Sequence, residues 1–200
     1  MILTDVDIRN GIEFDDLITL PHYEYSHHPE MYEPSIQPAS YDLTLSRSFK
    51  KIKKQDCTFP NKTYVDFGDG VEYVDVPYGG GCYDGVVIAP GEFMLGASRE
   101  IITLPKNLSA MITGRSSIGR AGLIVETAGW ADPSFIGSIT FEFYNCSPNP
   151  IRLTEGIRIA QIVFMKNTGD CAVPYNGKYQ HQLEATESRI HLDKEVHGNV

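Results

Sequence analysis

From Ile36 onward the chain is cut into short runs rich in β-branched and aromatic residues, with Gly, Pro, Asn and Asp between them. The runs at 40–49, 63–76, 86–89, 93–104, 109–113, 123–125, 138–145 and 156–164 predict strands. Many short strands divided by turn residues, without intervening amphipathic helices, predict a closed or sandwiched all-β fold. The helical signal lies in the first 18 or so residues. Thr4 is placed to cap a helix there, Asp5 and Asp7 suit the positive end of its dipole, and Ile8, Ile12 and Leu17 are apolar. A polar, aromatic loop bounded by Pro21 and Pro29 follows. Its His22, His27 and His28 have no helical or strand spacing that would aim them at one metal, so the segment reads as a surface loop. Gly79-Gly80-Gly81 has no following lysine and helix and reads as a turn, and the polar end of the chain reads as loose.

With 200 residues and 42% hydrophobic content, the chain fits one globular domain over 1–200. Within it, 1–35 form an N-terminal helix and loop, and 174–200 a C-terminal tail. No apolar run reaches the ~18 residues of a membrane span, and the N-terminus has neither the basic start nor the apolar stretch of a secretory signal, so a cytoplasmic address is expected. Acidic residues outnumber basic ones, 26 to 17, for a net charge of -9. That argues against nucleic acid as a partner, which needs a basic face, but leaves room for a small anion gathered at one point. Zinc-dependent nucleobase deaminases need a P-C-x-x-C pair to hold their metal. Cys57, Cys82, Cys146 and Cys171 are widely separated, so they read as reduced structural thiols and no zinc is expected.

Three segments carry candidate chemistry. Gly114-Arg115-Ser116-Ser117-Ile118-Gly119-Arg120 gathers two guanidinium groups, two hydroxyls and two glycines. It suits phosphate oxygens, or equally a helix start capped by Ser116 with arginines on the surface. In 137–145, side-chain alternation puts Ile139, Phe141 and Phe143 on one face and Thr140, Glu142 and Tyr144 on the other. Glu142 either points to solvent or sits in a pocket beside a cation such as Arg120. Finally, Tyr175, Lys178 and Gln182 lie in a glycine-containing tail that could close over a ligand or be an ordinary terminus.

Taken in order, these segments resemble the dCTP deaminase family, a branch of the trimeric dUTPase superfamily. The resemblance runs through I-Q-P-A-S-Y-D-L at 36–43, G-R-S-S-I-G-R at 114–120, A-G-W-A-D-P at 128–133 and G-S-I-T-F-E-F-Y-N at 137–145. It continues with R-I-A-Q-I-V-F at 158–164 and P-Y-N-G-K-Y-Q-H-Q at 174–182, while 21–34 and 50–85 match less well. It implies a mainly β fold, a distorted jelly-roll β-barrel of the dUTPase-like type, with a short N-terminal helix, assembled as a homotrimer with interfacial active sites. It implies hydrolytic deamination of dCTP at C4 to dUTP and ammonia, with Glu142 as general base and Arg120 as its ionic neighbour. Ser116 and the backbone of Ala128 would hold the water. Arg115, Ser116 and Ser117 would bind phosphate from an adjacent subunit, and Asp132 would hold the sugar hydroxyl or a hydrolytic water. Tyr175, Lys178 and Gln182 would close on the triphosphate, with Mg²⁺ bridging its oxygens.

The A-G-W at 128–130 is similar to bifunctional members that continue to dUMP and pyrophosphate. Two departures stand out: Glu126-Thr127 replaces a His-containing stretch, and Leu183-Glu184-Ala185 replaces a glycine-containing one, with Glu184 set to repel a triphosphate unless it turns outward. The alternatives are a dUTP diphosphatase only, or a non-enzymatic nucleotide-sensing or partner-binding protein. Glu142 at the deaminase position weighs against the first, and retention of Glu142 with Arg120 against the second.

Overall fold

The computed structural model describes residues 1–20, 31–54, 66–79, 84–126 and 129–197. The histidines at 22, 27 and 28, Gly80, Gly81, Cys57, Cys82 and Ala128 lie outside the described residues.

Among the described residues the α-helices are α1 (Asp5–Asp15) and α2 (Ser116–Arg120). The strands are β1 (Ile18–Thr19), β2 (Ile36–Gln37), β3 (Ser40–Ile52), β4 (Tyr73–Asp75), β5 (Val86–Ile88) and β6 (Phe93–Thr103). They continue with β7 (Leu108–Gly114), β8 (Leu123–Glu126), β9 (Trp130–Ala131), β10 (Ile136–Asn145), β11 (Ile151–Leu153) and β12 (Arg158–Lys166). One ten-stranded sheet runs in the order β8-β10-β6-β3-β12-β7-β9, with β1 added to β6 and β2 and β4 to β3. No neighbours along that path are consecutive in sequence, which is jelly-roll rather than meander connectivity. The sheet curls until its two ends meet: a Cβ on Gly114 of β7 would lie 3.4 Å from the carbonyl of Val125 on β8. Strands β5 and β11 form a separate pair.

Period-two alternation builds the core. Tyr41, Leu43 and Leu45 of β3, Phe141 and Phe143 of β10, and Ile162 and Phe164 of β12 are buried together. Burying each such side chain contributes roughly 1.5–3 kcal/mol. At the head of α1 the Asp7 carboxylate accepts from the Thr4 N–H at 2.9 Å and the Thr4 hydroxyl at 2.8 Å. Ile8 and Ile12 then seat the helix on the sheet. Strands β1, β2, β9 and β11, of two or three residues each, were invisible to periodicity. The end of the chain is also more ordered than its polarity suggests, because Lys194–His197 forms a 3₁₀ turn over the turn at Phe67–Asp69.

The centre of the sheet breaks its own ladder. Register shifts separate Leu45 from Phe49 against β6, and Ser138 from Thr140 on the other side. Buried side chains there take over backbone duties. The Ser98 hydroxyl accepts from the Ile139 N–H at 2.8 Å and donates to the Glu100 carbonyl at 2.7 Å. The Glu100 carboxylate accepts from the Thr44 N–H at 2.9 Å and from the Thr44 hydroxyl at 2.6 Å. Glu100 is 1% exposed, and burial pushes its carboxyl up to about 7 despite those two donors.

The sign of the resulting pH dependence follows. Between the ordinary value of 4.5 and about 7, the folded chain keeps a proton that the unfolded chain has released. This group's contribution to stability therefore declines as pH rises through that window and stays low above it. Glu100→Gln should remove that decline. In urea denaturation the variant should gain on the wild type as pH goes from mildly acidic to mildly alkaline, and a constant difference would contradict the assignment.

Candidate active site

Strand β10 carries the centre of the site. Its apolar face, Ile139, Phe141 and Phe143, is buried, which turns Thr140 and Glu142 the other way. Glu142 is thereby fixed, half-buried, on the wall of a cavity of about 330 Å³. Leu95 lies opposite it on β6 and Glu126 opposite it on β8. Tyr73, Phe93, Trp130, Phe135, Tyr175 and Tyr179 line the same cavity and set aromatic rings around it. Burial raises the Glu142 carboxyl above the usual carboxylate range, and the negative charge of Glu126 raises it further. A carboxylate so placed is primed to accept a proton, the requirement of a general base.

Asp132 also faces the cavity, its carboxylate accepting from the indole N–H of Trp130 at 2.9 Å. Tyr175 is packed on Phe135 with ring centroids 6.0 Å apart. Its N–H donates to the Pro133 carbonyl at 3.0 Å.

The tail reaches the cavity by completing an edge. Strand β8 covers only the second half of β10, from Glu142 to Asn145, so the first half is open on that side. Residues 180–182 take its place. The His181 N–H donates to the Ile136 carbonyl at 2.7 Å, and the Ser138 N–H to the Gln182 carbonyl at 2.8 Å. The Gln182 side-chain amide donates to the Ser138 carbonyl at 2.8 Å. Its Oε1 is buried without a partner among the described residues, on a side chain that lines the cavity. Gly137, at φ +154°, is what lets the tail lie so close, since a Cβ there would stand 2.8 Å from the Gln182 carbonyl oxygen. Farther along the tail, Thr140 Oγ1 accepts from the Thr186 N–H at 3.1 Å, and Lys50 pairs with Glu187 at 3.0 Å. Glu184, whose charge threatened a bound anion, is exposed and lines a separate cavity with Arg47 and Arg99.

The chain thus brings Glu142, Asp132, Tyr175 and Gln182 to one place. It does not bring the 114–120 segment there. That segment folds as the helical reading foresaw, but Arg115 rather than Ser116 occupies the N-cap, and Ser116, Ser117 and Arg120 are exposed. Arg120 forms no ion pair with Glu142 among the described residues of the single chain. Arg115 turns inward, 3.2 Å from the Asp42 carboxylate, and donates to the Arg158 carbonyl at 2.9 Å. Arg158 approaches the same Asp42 oxygen at 3.2 Å. Asp42 is 2% exposed, and burial holds its carboxyl above the usual range although the two guanidiniums pull it down. Lys178 also lies off the cavity wall, paired with Asp193 at 2.5 Å, while Arg189 donates to the Lys178 carbonyl. Sequence reasoning missed Tyr73, Tyr179, Glu187 and Thr140 as cavity residues. Only Thr140 had a legible signal, its place two residues before Glu142 on the same strand face.

A curled antiparallel sheet with jelly-roll connectivity, a carboxylate in mid-strand and a tail folded along the same strand define a jelly-roll class of β fold with a cavity along one strand. The fold is shared with the crystal structure of 2'-deoxycytidine 5'-triphosphate deaminase from Agrobacterium tumefaciens, at a TM-score of 0.59 and 22% identity, over 82% of this chain and 47% of that longer one. The chain belongs to the dCTP deaminase-like family, whose model matches residues 8–167. It is 40% identical to a dUMP-forming dCTP deaminase of Persephonella marina, over 98% of this chain and 100% of that protein. It is 37% identical to the dUMP-forming dCTP deaminase of Aquifex aeolicus, over 98% of each. The dCTP deaminase of Natronomonas pharaonis is also 37% identical, over 100% of both.

Gly137→Ala should detach the tail from β10 while leaving the sheet intact. Limited proteolysis should cleave the variant between β12 and the C-terminus much faster than the wild type, with the thermal transition of the body little changed. Equal protection of both tails would sink this account of Gly137.

Proposed function

We propose that this chain deaminates dCTP hydrolytically at C4 and carries the product on to dUMP and pyrophosphate, with Glu142 as the proton-transferring group. The observation that carries this reading is the position of Glu142: a half-buried carboxylate, raised in pKa, on the wall of an aromatic cavity. Deamination consumes water and releases ammonia, and one carboxylate within reach of water and ring can move every proton involved. A cavity of about 330 Å³ suits a pyrimidine nucleoside, with the phosphates extending beyond it. Mg²⁺ arrives with the substrate, its hard-oxygen ligands being those of the triphosphate. Free deoxynucleoside triphosphates make the cytoplasm the fitting compartment, and the chain acts as a single domain over residues 1–200.

The remaining roles need a second copy of the chain. Arg120, Ser116 and Ser117 are exposed and outside their own cavity's lining, as groups serving a neighbour's cavity must be. Beside the cavity, Met111 and Trp130 face each other across β7 and β9, 43% and 56% exposed, an apolar pair suited to cover by another copy. In the homotrimer Arg120 stands beside Glu142 of the adjoining chain. Ser116 there, with the Ala128 backbone, holds the attacking water. Arg115 keeps donors for phosphate, because its guanidinium has five N–H groups and Asp42 and the Arg158 carbonyl engage two. Ser117, Tyr175, Lys178 and Gln182 complete the triphosphate contacts. Asp132 orients the sugar hydroxyl or the water that attacks the α-phosphorus in the second step.

Glu142→Gln should bind dCTP but release ammonia at least a hundredfold more slowly, the order of loss expected on removing a general base. Product analysis with dCTP and Mg²⁺ should give ammonia, dUMP and pyrophosphate from the wild type. Ammonia with dUTP would restrict the enzyme to the first step, and binding without turnover would remove the enzymatic reading. Arg120→Ala should be inactive alone, yet mixing and reassembling it with Glu142→Gln should restore part of the activity, because some interfaces then pair an intact Glu142 with an intact Arg120. If the mixture stays as inactive as its components, each site is built within one chain.

A further inference from the structure

The register of β8 against β10 puts Glu126 directly opposite Glu142. Residues directly opposite in an antiparallel pair share a sheet face, with Cβ atoms about 5 Å apart, and like charges there are destabilising. The next pair on the same face of that ladder, Ile124 opposite Tyr144, carries no charge. A second carboxylate at the 126 position is therefore a cost to the sheet that the sheet does not require.

Among the described residues, nothing else packed around Glu142 supplies a compensating positive charge. Leu95 is opposite it on β6, Tyr73 comes from β4, Tyr175, Tyr179 and Glu187 from the tail, and Asp132 from the turn after β9. Lys50, the cation bound to Glu187, is shared with Asp75. Burial and Glu126 both act on Glu142 in the same direction, towards holding a proton.

We propose that Glu126 is a positioning residue for deamination, whose negative charge, held in place by the β8–β10 register, strengthens Glu142 as a proton acceptor. The inference rests on the deaminase reading above. In the step it serves, water gives a proton to the Glu142 carboxylate as its oxygen bonds to C4. The electron pair of the C4–N3 double bond moves to N3, which takes that proton from Glu142. The proton of the new C4 hydroxyl then passes through Glu142 to the amine, the C4–N bond breaks, and ammonia leaves as the carbonyl forms. Water is consumed, ammonia is released and nothing is oxidised or reduced. Glu142 must accept a proton twice in this sequence, and a neighbouring anion favours acceptance both times.

The test compares Glu126→Gln and Glu126→Asp with the wild type as assembled full-length protein, measuring ammonia release from dCTP as a function of pH. For Glu126→Gln the acid limb of kcat/KM should move to lower pH, because the neighbouring charge that favours the protonated form of Glu142 is gone. Its plateau kcat should fall about threefold or more, as a weaker base gives slower proton transfer, with KM unchanged. Glu126→Asp keeps the charge and should keep the limb near its wild-type position. Thermal unfolding of Glu126→Gln should come no lower than wild type, since a like-charge contact is removed. An acid limb that stays put in Glu126→Gln overturns the proposal, and so does failure of both Glu126→Gln and Glu126→Thr to fold, which would make the residue structural. Wild-type protein that releases no ammonia from dCTP at any pH overturns the deaminase reading itself, a distinct result from an active enzyme with an unmoved limb.

Discussion

Strand β10 is paired along both edges, and that double pairing is the constraint from which the site follows. With β6 on one side, and the tail and then β8 on the other, β10 cannot rotate or slip without turning Phe141 and Phe143 out of the core. A shift of one residue would reverse every side chain on the strand. The cavity-facing orientation of Glu142 is thus held by the burial of its neighbours rather than by a bond of its own. That is how a half-buried carboxylate with no cation beside it among the described residues is kept in place. The bulge at Ser138/Thr140 works to the same end. Ser98 satisfies the backbone there, so the strand can bend toward the cavity without leaving a buried N–H unpaired.

The same edge explains why the tail belongs to the site. Because β8 stops at Glu142, half of β10 would present open backbone to solvent, and residues 180–182 cover it. Covering the edge and roofing the cavity are one event: the hydrogen bonds that hold 180–182 set Gln182 on the cavity wall and draw Tyr179 and Glu187 over it. Lys50–Glu187 and the Thr186 N–H on Thr140 secure the far end. A closing element built on strand-edge hydrogen bonds can open without disturbing the core, which is what a site that must admit substrate and release ammonia requires.

What the sequence made legible followed from side-chain burial. The alternation that places Glu142 opposite Phe141 and Phe143 was readable, as was α1 with its Thr4 and Asp7 pair, because each depends on neighbours in sequence. The membership of the wall was not. Tyr73 enters from a three-residue strand within a segment that matches the family less well, and Tyr179 and Glu187 arrive only because the tail runs along β10. Arg115 shows the other limit. Its residue type suited phosphate, and the structure spends part of its guanidinium on Asp42, a buried carboxylate that lies 73 positions away in the chain and that alternation alone places on an ordinary strand. Glu126 was visible only as a departure from a pattern. It acquired meaning once the β8–β10 register set it against Glu142.

Glu142, Asp132 and Glu187 line the cavity and Glu126 stands at its edge, while Lys50, Lys178 and Arg115 are each tied to a carboxylate of their own chain. A triphosphate approaching such a chain, of net charge -9, meets repulsion with little to offset it. The hydroxyls and guanidinium of α2 are instead held out on the surface, on a helix too short to be kept there by its own propensity and anchored by Arg115 at its start. In the homotrimer proposed above, the acidic cavity of one copy and the exposed Arg120 of the next fit each other. Assembly would then neutralise each cavity and complete it in one step, so that Glu142 meets the substrate only where a neighbour's α2 is in place.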